Sequence, residues 1–358
     1  MKRIWIQRIG AAVLCAVLLA GCMPADSTAS ADPLTGQEQQ YPGQRPAAVV
    51  IDNAPGSTTQ WGIGSASVVL EAAARADTAP SLCLVYPSVS AMPTVGPVTL
   101  GQDLFWRLLS GQQVLPIQRG CDLYTRNFLD YWNLRAVDAL ETGRNAFTTG
   151  NTDWASPLWC TNGQSVAKVL GSLSLSSALS EDPAESADST QEGDTPAVPT
   201  VPALLPQQTD GHLPDADVAD AVQAAVQFPS GSTTRFAYDT DTGTYGMLHN
   251  DGSPQLDANT GIQAAFDNLL VLYSASTPRD DGRTLDYDLT MGGGLWLNGG
   301  HLWHITWTQG TGSTFAFYDA DGRPLRILSG RSYIAWLSSL TGEEVTVQDS
   351  AGNDLLQP

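Results

Sequence analysis

The sequence predicts an α+β protein: an α/β N-terminal domain over about residues 43–175, then a mostly antiparallel, β-rich C-terminal domain over 218–358. Three observations support this. Up to about residue 175, apolar strand-like runs alternate with helical patterns. From 180 to 217 the chain turns acidic and rich in proline and serine, with no aromatic residue to seed a core. After 218, aromatic residues alternate along short runs separated by turn pairs, and helix signals become few.

Taken in order, RPAAVVID (45–52) is apolar enough for a central strand. SASVVLEAAARAD (65–77) is rich in alanine, follows a turn at Gly62 and Gly64, and reads as a helix. SLCLVYP (81–87) reads as a second buried strand, giving a βαβ-like order. DLFWRLLSG (103–111) is a helix ended by glycine, VLPIQ (114–118) a short strand, and LYTRNFLDYW (123–132) another helix. Thr161-Asn162-Gly163-Gln164 has capping-box spacing and opens a last helix, QSVAKVLGSL. Residues 176–217 are expected to be a disordered interdomain linker. TRFAYDTDTGTYGML, NLLVLYSAS, GLWLNGGHLWHITW, STFAFYDADGRPLRIL and RSYIAWLSS then read as strands, with EEVTVQD as an edge. Their turns fall at Thr242-Gly243, Asn298-Gly299 and Asp321-Gly322.

The N-terminus speaks to location. Lys2, Arg3 and Arg8 flank an apolar run, Ile9 to Leu19, that is too short for a permanent membrane span. It ends in Leu19-Ala20-Gly21-Cys22, which resembles the lipobox of bacterial lipoproteins. The resemblance implies removal of a 1–21 signal peptide and acylation of Cys22, so that lipid chains supply the membrane affinity. Residues 22–42, small and polar with three prolines, are expected to form a flexible tether. The expected location is the outer face of the bacterial cytoplasmic membrane, with the membrane itself as partner. A formal charge of −20 opposes nucleic acid as a partner.

Cys15 leaves with the signal peptide. Of the remaining thiols, Cys83 lies in an apolar run and should behave as a small buried hydrophobe. Cys121 and Cys160 sit in polar, loop-like settings and form the candidate disulfide.

Asp52 and Asn53 end a central strand, where open α/β sheets place ligands. The plainer alternative is that they cap the following loop. Gly62-Ile63-Gly64 could offer free N–H groups to an anion, but a third glycine and a lysine are missing, which favours a plain turn. Residues 43–175 contain no histidine, so a Ser–His or Cys–His pair would have to span both domains. DTDTG (239–243) and DADG (319–322) lack the ligand spacing of a calcium loop and read as hairpin turns. In GLWLNGGHLWHITW (294–307) the strand period sends His301 and His304 to opposite faces, so this H-x-x-H cannot chelate one metal. Trp303 and Trp307 are expected in the core rather than on a sugar-binding platform. No metal and no cofactor are expected.

PLTG (33–36), RPAAVVIDNAPGSTTQWGIGSASVVLEA (45–72) and VGPV (95–98) resemble the N-terminal domain of YerB-like bacterial lipoproteins, a domain family of unknown function. YDTDTGTYGML, GSPQLDANTG, NLLVLY, NGGHLWHITW and FYDADGRPLRILSGRSYIAWL resemble that family's C-terminal domain, in the same order. Gln60 and Glu71 match residues of the family pattern and join Asp52 and Asn53 as a candidate ligand-binding set. The chain also departs from the pattern. Arginines implied by the resemblance are replaced at Ala79-Pro80-Ser81 and Val98-Thr99-Leu100-Gly101. His-containing segments read Gln118-Arg119-Gly120-Cys121 and Pro157-Leu158-Trp159-Cys160. The resulting reading is a lipid-anchored, non-enzymatic binding or scaffolding module for a partner protein, peptide or cell-wall component. Two alternatives stay open: an envelope hydrolase using Asp52 or Glu71, and a solute-binding lipoprotein.

Overall fold

The computed structural model describes residues 30–54, 59–150, 158–180, 198–209, 213–310, 314–340 and 342–356. Cys22, the expected signal peptide before it, and His212 lie outside these residues. The elements run β1 (Ala47–Asp52), β2 (Val68–Ala72), β3 (Ser81–Tyr86), α1 (Asp103–Leu108), β4 (Leu115–Gln118), α2 (Leu123–Tyr131), β5 (Val137–Asp138), α3 (Ala139–Thr142), β6 (Thr148–Gly150), β7 (Leu158–Cys160) and α4 (Gly163–Leu170). After the acidic stretch come β8 (Gln207–Gln208), β9 (Val218–Ala219), β10 (Gln223–Gln227), β11 (Thr233–Asp239), β12 (Thr244–Leu248), β13 (Ala265–Phe266) and β14 (Asn268–Ser274). The remainder are β15 (Ser276–Pro278), β16 (Leu285–Tyr287), β17 (Met291–Asn298), β18 (His301–Gln309), β19 (Phe315–Tyr318), β20 (Pro324–Leu325), β21 (Ile327–Leu328), β22 (Ser332–Ser338) and β23 (Glu344–Gln348).

A twelve-stranded mixed sheet has the order β20-β19-β18-β17-β14-β22-β2-β3-β1-β4-β5, with β9 set against β18. A five-stranded antiparallel sheet, β13-β12-β11-β10-β23, forms a second layer. β22 lies between β14 and β2 and is parallel to both, so Ser332 is level with Asn268 on one side and Val68 on the other. The segments before and after the acidic stretch therefore share one sheet.

Both faces of the large sheet are covered, which is why its central strands read as unbroken apolar runs. Alternate residues go to opposite sides. Val49, Ile51 and Val69 join a core with Val226, Phe236 and Met247 of the small sheet. Val50, Val68 and Leu70 join another with Phe105, Trp106 and Leu109 around α1.

The helix expected over 65–77 is instead strand β2. Val68 and Val69 are β-branched, all five residues of the strand are buried, and ladders with β3 and β22 satisfy the backbone on both sides. Alanine's helix preference is worth only tenths of a kcal/mol per residue and yields to that pairing. In place of a βαβ unit, β3 lies between β1 and β2 and is antiparallel to both. The helices at 103–108, 123–131 and 163–170 form where the pattern places them. The last is capped by Asn162 rather than Thr161, its Oδ1 accepting from Ser165 N at 2.8 Å.

Two polar stretches pack more closely than their composition suggests. In the expected tether, Leu34 is fully buried and Asp32 Oδ1 accepts from the N–H groups of Leu34 and Thr35. At the end of the expected linker, Leu204 and Leu205 are buried and β8 pairs with β21. All three leucines enter the same core as α1, and burying three such side chains outweighs their polar context.

The 294–307 run is a hairpin, turned by Gly299 and Gly300 at positive φ. Trp303 stacks on Trp296 at 4.2 Å, and Trp307 packs on Trp336 at 4.9 Å, all inside the core. His301 lies beside Trp303, whereas His304 points away and meets Asp217 at the surface.

Candidate functional site

β2 presents Glu71 toward the small sheet, between the core residues Val69 and Ala73. Its side chain has no exposed surface. Oε1 accepts from Asn53 Nδ2 at 2.7 Å and from Thr234 Oγ1 at 2.9 Å, and Oε2 accepts from the Tyr333 hydroxyl. Thr234 belongs to β11 and Tyr333 to β22, so one carboxyl ties together both sheets and the loop after β1. Burial raises the Glu71 pKa to about 7, against the opposing pull of the hydrogen bonds from Tyr333, Thr234 and Asn53. Burial, together with the neighbouring carboxyl, pushes the Tyr333 hydroxyl well above its ordinary value.

Gln60, also fully buried, orients Asn53 from behind. Its Nε2 donates to Asn53 Oδ1 at 3.0 Å and to Asp52 O at 2.8 Å. The four sequence candidates thus converge: Asn53, Gln60 and Glu71 through side chains, Asp52 through its backbone. The Asp52 carboxylate accepts from Ala54 N at 3.1 Å, the loop-capping role weighed for it.

A cleft of about 370 Å³ lies against Asn53 and Thr234. Its walls are Asn53 and Ala54, the 232–234 approach to β11, the 247–251 end of β12, and residues 253–256. The lining has no lysine, arginine, phenylalanine, tyrosine or tryptophan; His249 and Asp251 are its ionisable side chains. Gln255 in this wall is 1% exposed, and its Nε2 has no hydrogen-bond partner among the described residues. A second hollow of about 390 Å³, where 31–36 meets 201–209, contains none of the sequence candidates.

The Gly62-Ile63-Gly64 turn does hold an anion, but it is the chain's own. Gly62 N and Gly64 N donate to the Asp257 carboxylate at 3.2 and 2.8 Å. Arg331 adds a second clamp, donating to the carbonyls of Ile63, Ala66 and Ala265. The acidic turns use their carboxylates similarly: Asp239 Oδ1 accepts from Asp241 N, and Asp319 Oδ1 from Asp321 N and Arg323 N. Among the described residues no cluster of three His, Cys, Asp or Glu is placed to hold a metal.

Cys121 and Cys160 do not form the expected disulfide; with Cys83 they are free thiols. Cys121 is bridged to Gly101 beyond the end of β4, whereas Cys160 in β7 packs against Gly96. Burial raises all three thiols, Cys160 to about 11. Two of the segments that depart from the family pattern are neighbours, with the Arg119 guanidinium 5.8 Å over the Trp159 ring.

Sequence reasoning missed Thr234, Gln255 and Tyr333. The one local signal was a tyrosine in the otherwise apolar run YIAWL of β22.

No helix among the described residues is long and apolar enough to cross a membrane. Comparison with known proteins agrees with this architecture. The N-terminal domain of a protein of unknown function (DUF3048) matches residues 34–175, and the C-terminal domain of the same family matches 224–334. A Bacillus subtilis (strain 168) protein described as "Putative lipoprotein YerB" is 26% identical over 321 residues, covering 88% of each chain. The crystal structure of YerB protein from Bacillus subtilis matches with a TM-score of 0.72 at 20% identity, over 88% of this chain and 99% of that one. With both domains matched in order and the α+β fold shared, the chain belongs to the DUF3048 family, of which YerB is a relative.

Proposed function

We propose that the protein is a lipid-anchored envelope protein whose cleft beside Asn53 and Thr234 binds an envelope component without transforming it. The observation behind this reading is the prearranged polar floor. Glu71 and Gln60 hold Asn53 and Thr234 in place where both line the cleft. Concave sites with a few fixed polar groups are where ligands bind, and groups already ordered lose little entropy on binding.

Two features weigh against the alternatives. Glu71 is covered and both its oxygens accept hydrogen bonds, so it positions neighbours rather than meeting a substrate bond. The Asp257 and Arg331 clamps, with β22 beside β2, fasten the two chain segments without the hinge that a closing solute receptor uses. Anchoring rests on the Cys22 lipobox and on the relative's description as a lipoprotein.

A photo-crosslinking residue at Leu256, which is 46% exposed on the cleft wall, tests this in intact cells. A discrete adduct should form in the membrane fraction and vanish when Ala54→Trp fills the cleft, and Cys22→Ala should release the protein from membranes. An adduct indifferent to Ala54→Trp, or none, rejects the cleft; membrane retention of the Cys22→Ala variant rejects the anchor.

A further inference from the structure

We infer that the outward face of α2, with Leu100 and Leu140 beside it, rests on the phospholipid headgroup layer of the membrane that anchors the chain. This lies beyond the cleft reading and rests only on the anchor. Single exposed apolar side chains are ordinary on a protein surface. Here five of the ten exposed large hydrophobic side chains among the described residues fall between 100 and 140, so they are concentrated rather than scattered. They are Leu100, Leu123, Tyr131, Trp132 and Leu140. Leu123 and Tyr131 share the outer face of α2, two helical turns apart, while Phe128 and Leu129 pack inward. Tyr131 is 81% exposed and Trp132, next to it, 65%. Leu100 and Leu140 flank Gly120, where a Cβ would meet Leu140 Cδ1 at 2.7 Å and Leu100 Cδ2 at 3.6 Å.

Charge and position identify the occupant. The whole chain carries −20, which an anionic bilayer repels. Residues 119–144 are locally neutral, with four arginines to four carboxylates. Three of those carboxylates are engaged within the chain. Asp122 accepts from Thr125 N, Asp138 from Gly120 N and Leu140 N, and Glu141 pairs with Arg135. Arg126 and Arg144 are exposed and in no ion pair among the described residues, which leaves them for lipid phosphates. The chain packs onto the body from Ala31, which bridges to Glu38, and Leu34 enters the core against which Phe128 and Leu129 lie. The root of the tether and α2 therefore cover the same side of the large sheet. Nine residues, 22–30, link Cys22 to that root and reach at most about 30 Å. Even a weak surface contact is then held at high effective concentration. Tryptophan, tyrosine, leucine and arginine together suit a membrane interface. A sugar-binding platform fits less well, because the Tyr131 and Trp132 rings meet at 82° and present no common plane.

The test uses the acylated protein reconstituted into vesicles of equimolar phosphatidylethanolamine and phosphatidylglycerol, with or without brominated acyl chains. Trp132 is the one exposed tryptophan among the described residues, so bromine should quench its emission. Trp132→Phe should remove most of that quenching. Leu123→Glu combined with Tyr131→Glu, both at exposed positions, should cut it about tenfold with melting unchanged. Absent quenching, or quenching that survives either change, overturns the inference. So does a discrete protein adduct from a photo-crosslinker at Tyr131 in cells, which would make a partner protein the occupant. A response of Trp132 emission to an N-acetylglucosamine tetramer, in place of lipid quenching, overturns it in favour of a glycan. Flotation of the unaltered protein with the vesicles reads the anchor separately. Flotation without quenching leaves the anchor standing and rejects the docked face; no flotation rejects both.

Discussion

Replacing Glu71 with glutamine removes a carboxyl whose burial ties stability to pH, and the size of the effect follows from its surroundings. The group moves from an ordinary value of 4.5 to about 7 in the folded protein, chiefly through desolvation. At about 1.4 kcal/mol per pKa unit, that difference is worth about 3 kcal/mol. The folded state holds the proton more tightly than the unfolded one. The favourable contribution is therefore fully present below about pH 4.5 and is lost as pH rises through about 7. Glutamine can keep the arrangement: its carbonyl accepts from Asn53 and Thr234, and its amide donates to the Tyr333 oxygen. Chemical denaturation of the two proteins between pH 4.5 and 8.5 gives the difference directly, with all other titrations shared. Relative to the wild type, the Glu71→Gln protein should gain about 3 kcal/mol in stability across that range, most of it by pH 7.5. A difference that stays flat with pH would show that Glu71 titrates normally and that the burial argument is wrong.

Three further outcomes are expected. Asp257→Ala leaves the N–H groups of Gly62 and Gly64 unpaired in a covered loop and should cost about 2–3 kcal/mol in denaturant unfolding. Leu204→Ala should cost about 2–4 kcal/mol, because the side chain is 1% exposed in the core; a free linker residue would show no change. Alkylation of the denatured protein without reductant should label Cys121 and Cys160 completely, as seen by peptide mass spectrometry, since both are thiols.

Much of the local structure was legible. The strands at 47–52 and 81–86 and the hairpin turned at Gly299-Gly300 followed from apolar runs, strand period and turn residues, all of which act over a few positions. The 65–77 run was not, because alanine next to β-branched valine suits either element until neighbours are known. Leu34 and Leu204 were lost in polar context for the same reason: nothing nearby in sequence announces the core that receives them.

The candidate site divides along the same line. Asp52, Asn53, Gln60 and Glu71 could be named from a strand end and a family pattern, and they do meet. Their meaning depended on partners far along the chain. Only the placement of β22 beside β2 brings Tyr333 to Glu71, and only the stacking of the small sheet brings Thr234 there and opens the cleft at Gln255. Sequence alone determined the periods and turns, because these arise from neighbours in the chain. Tertiary structure decided which strands adjoin and which polar groups are buried together, because long-range pairing and desolvation leave no local trace.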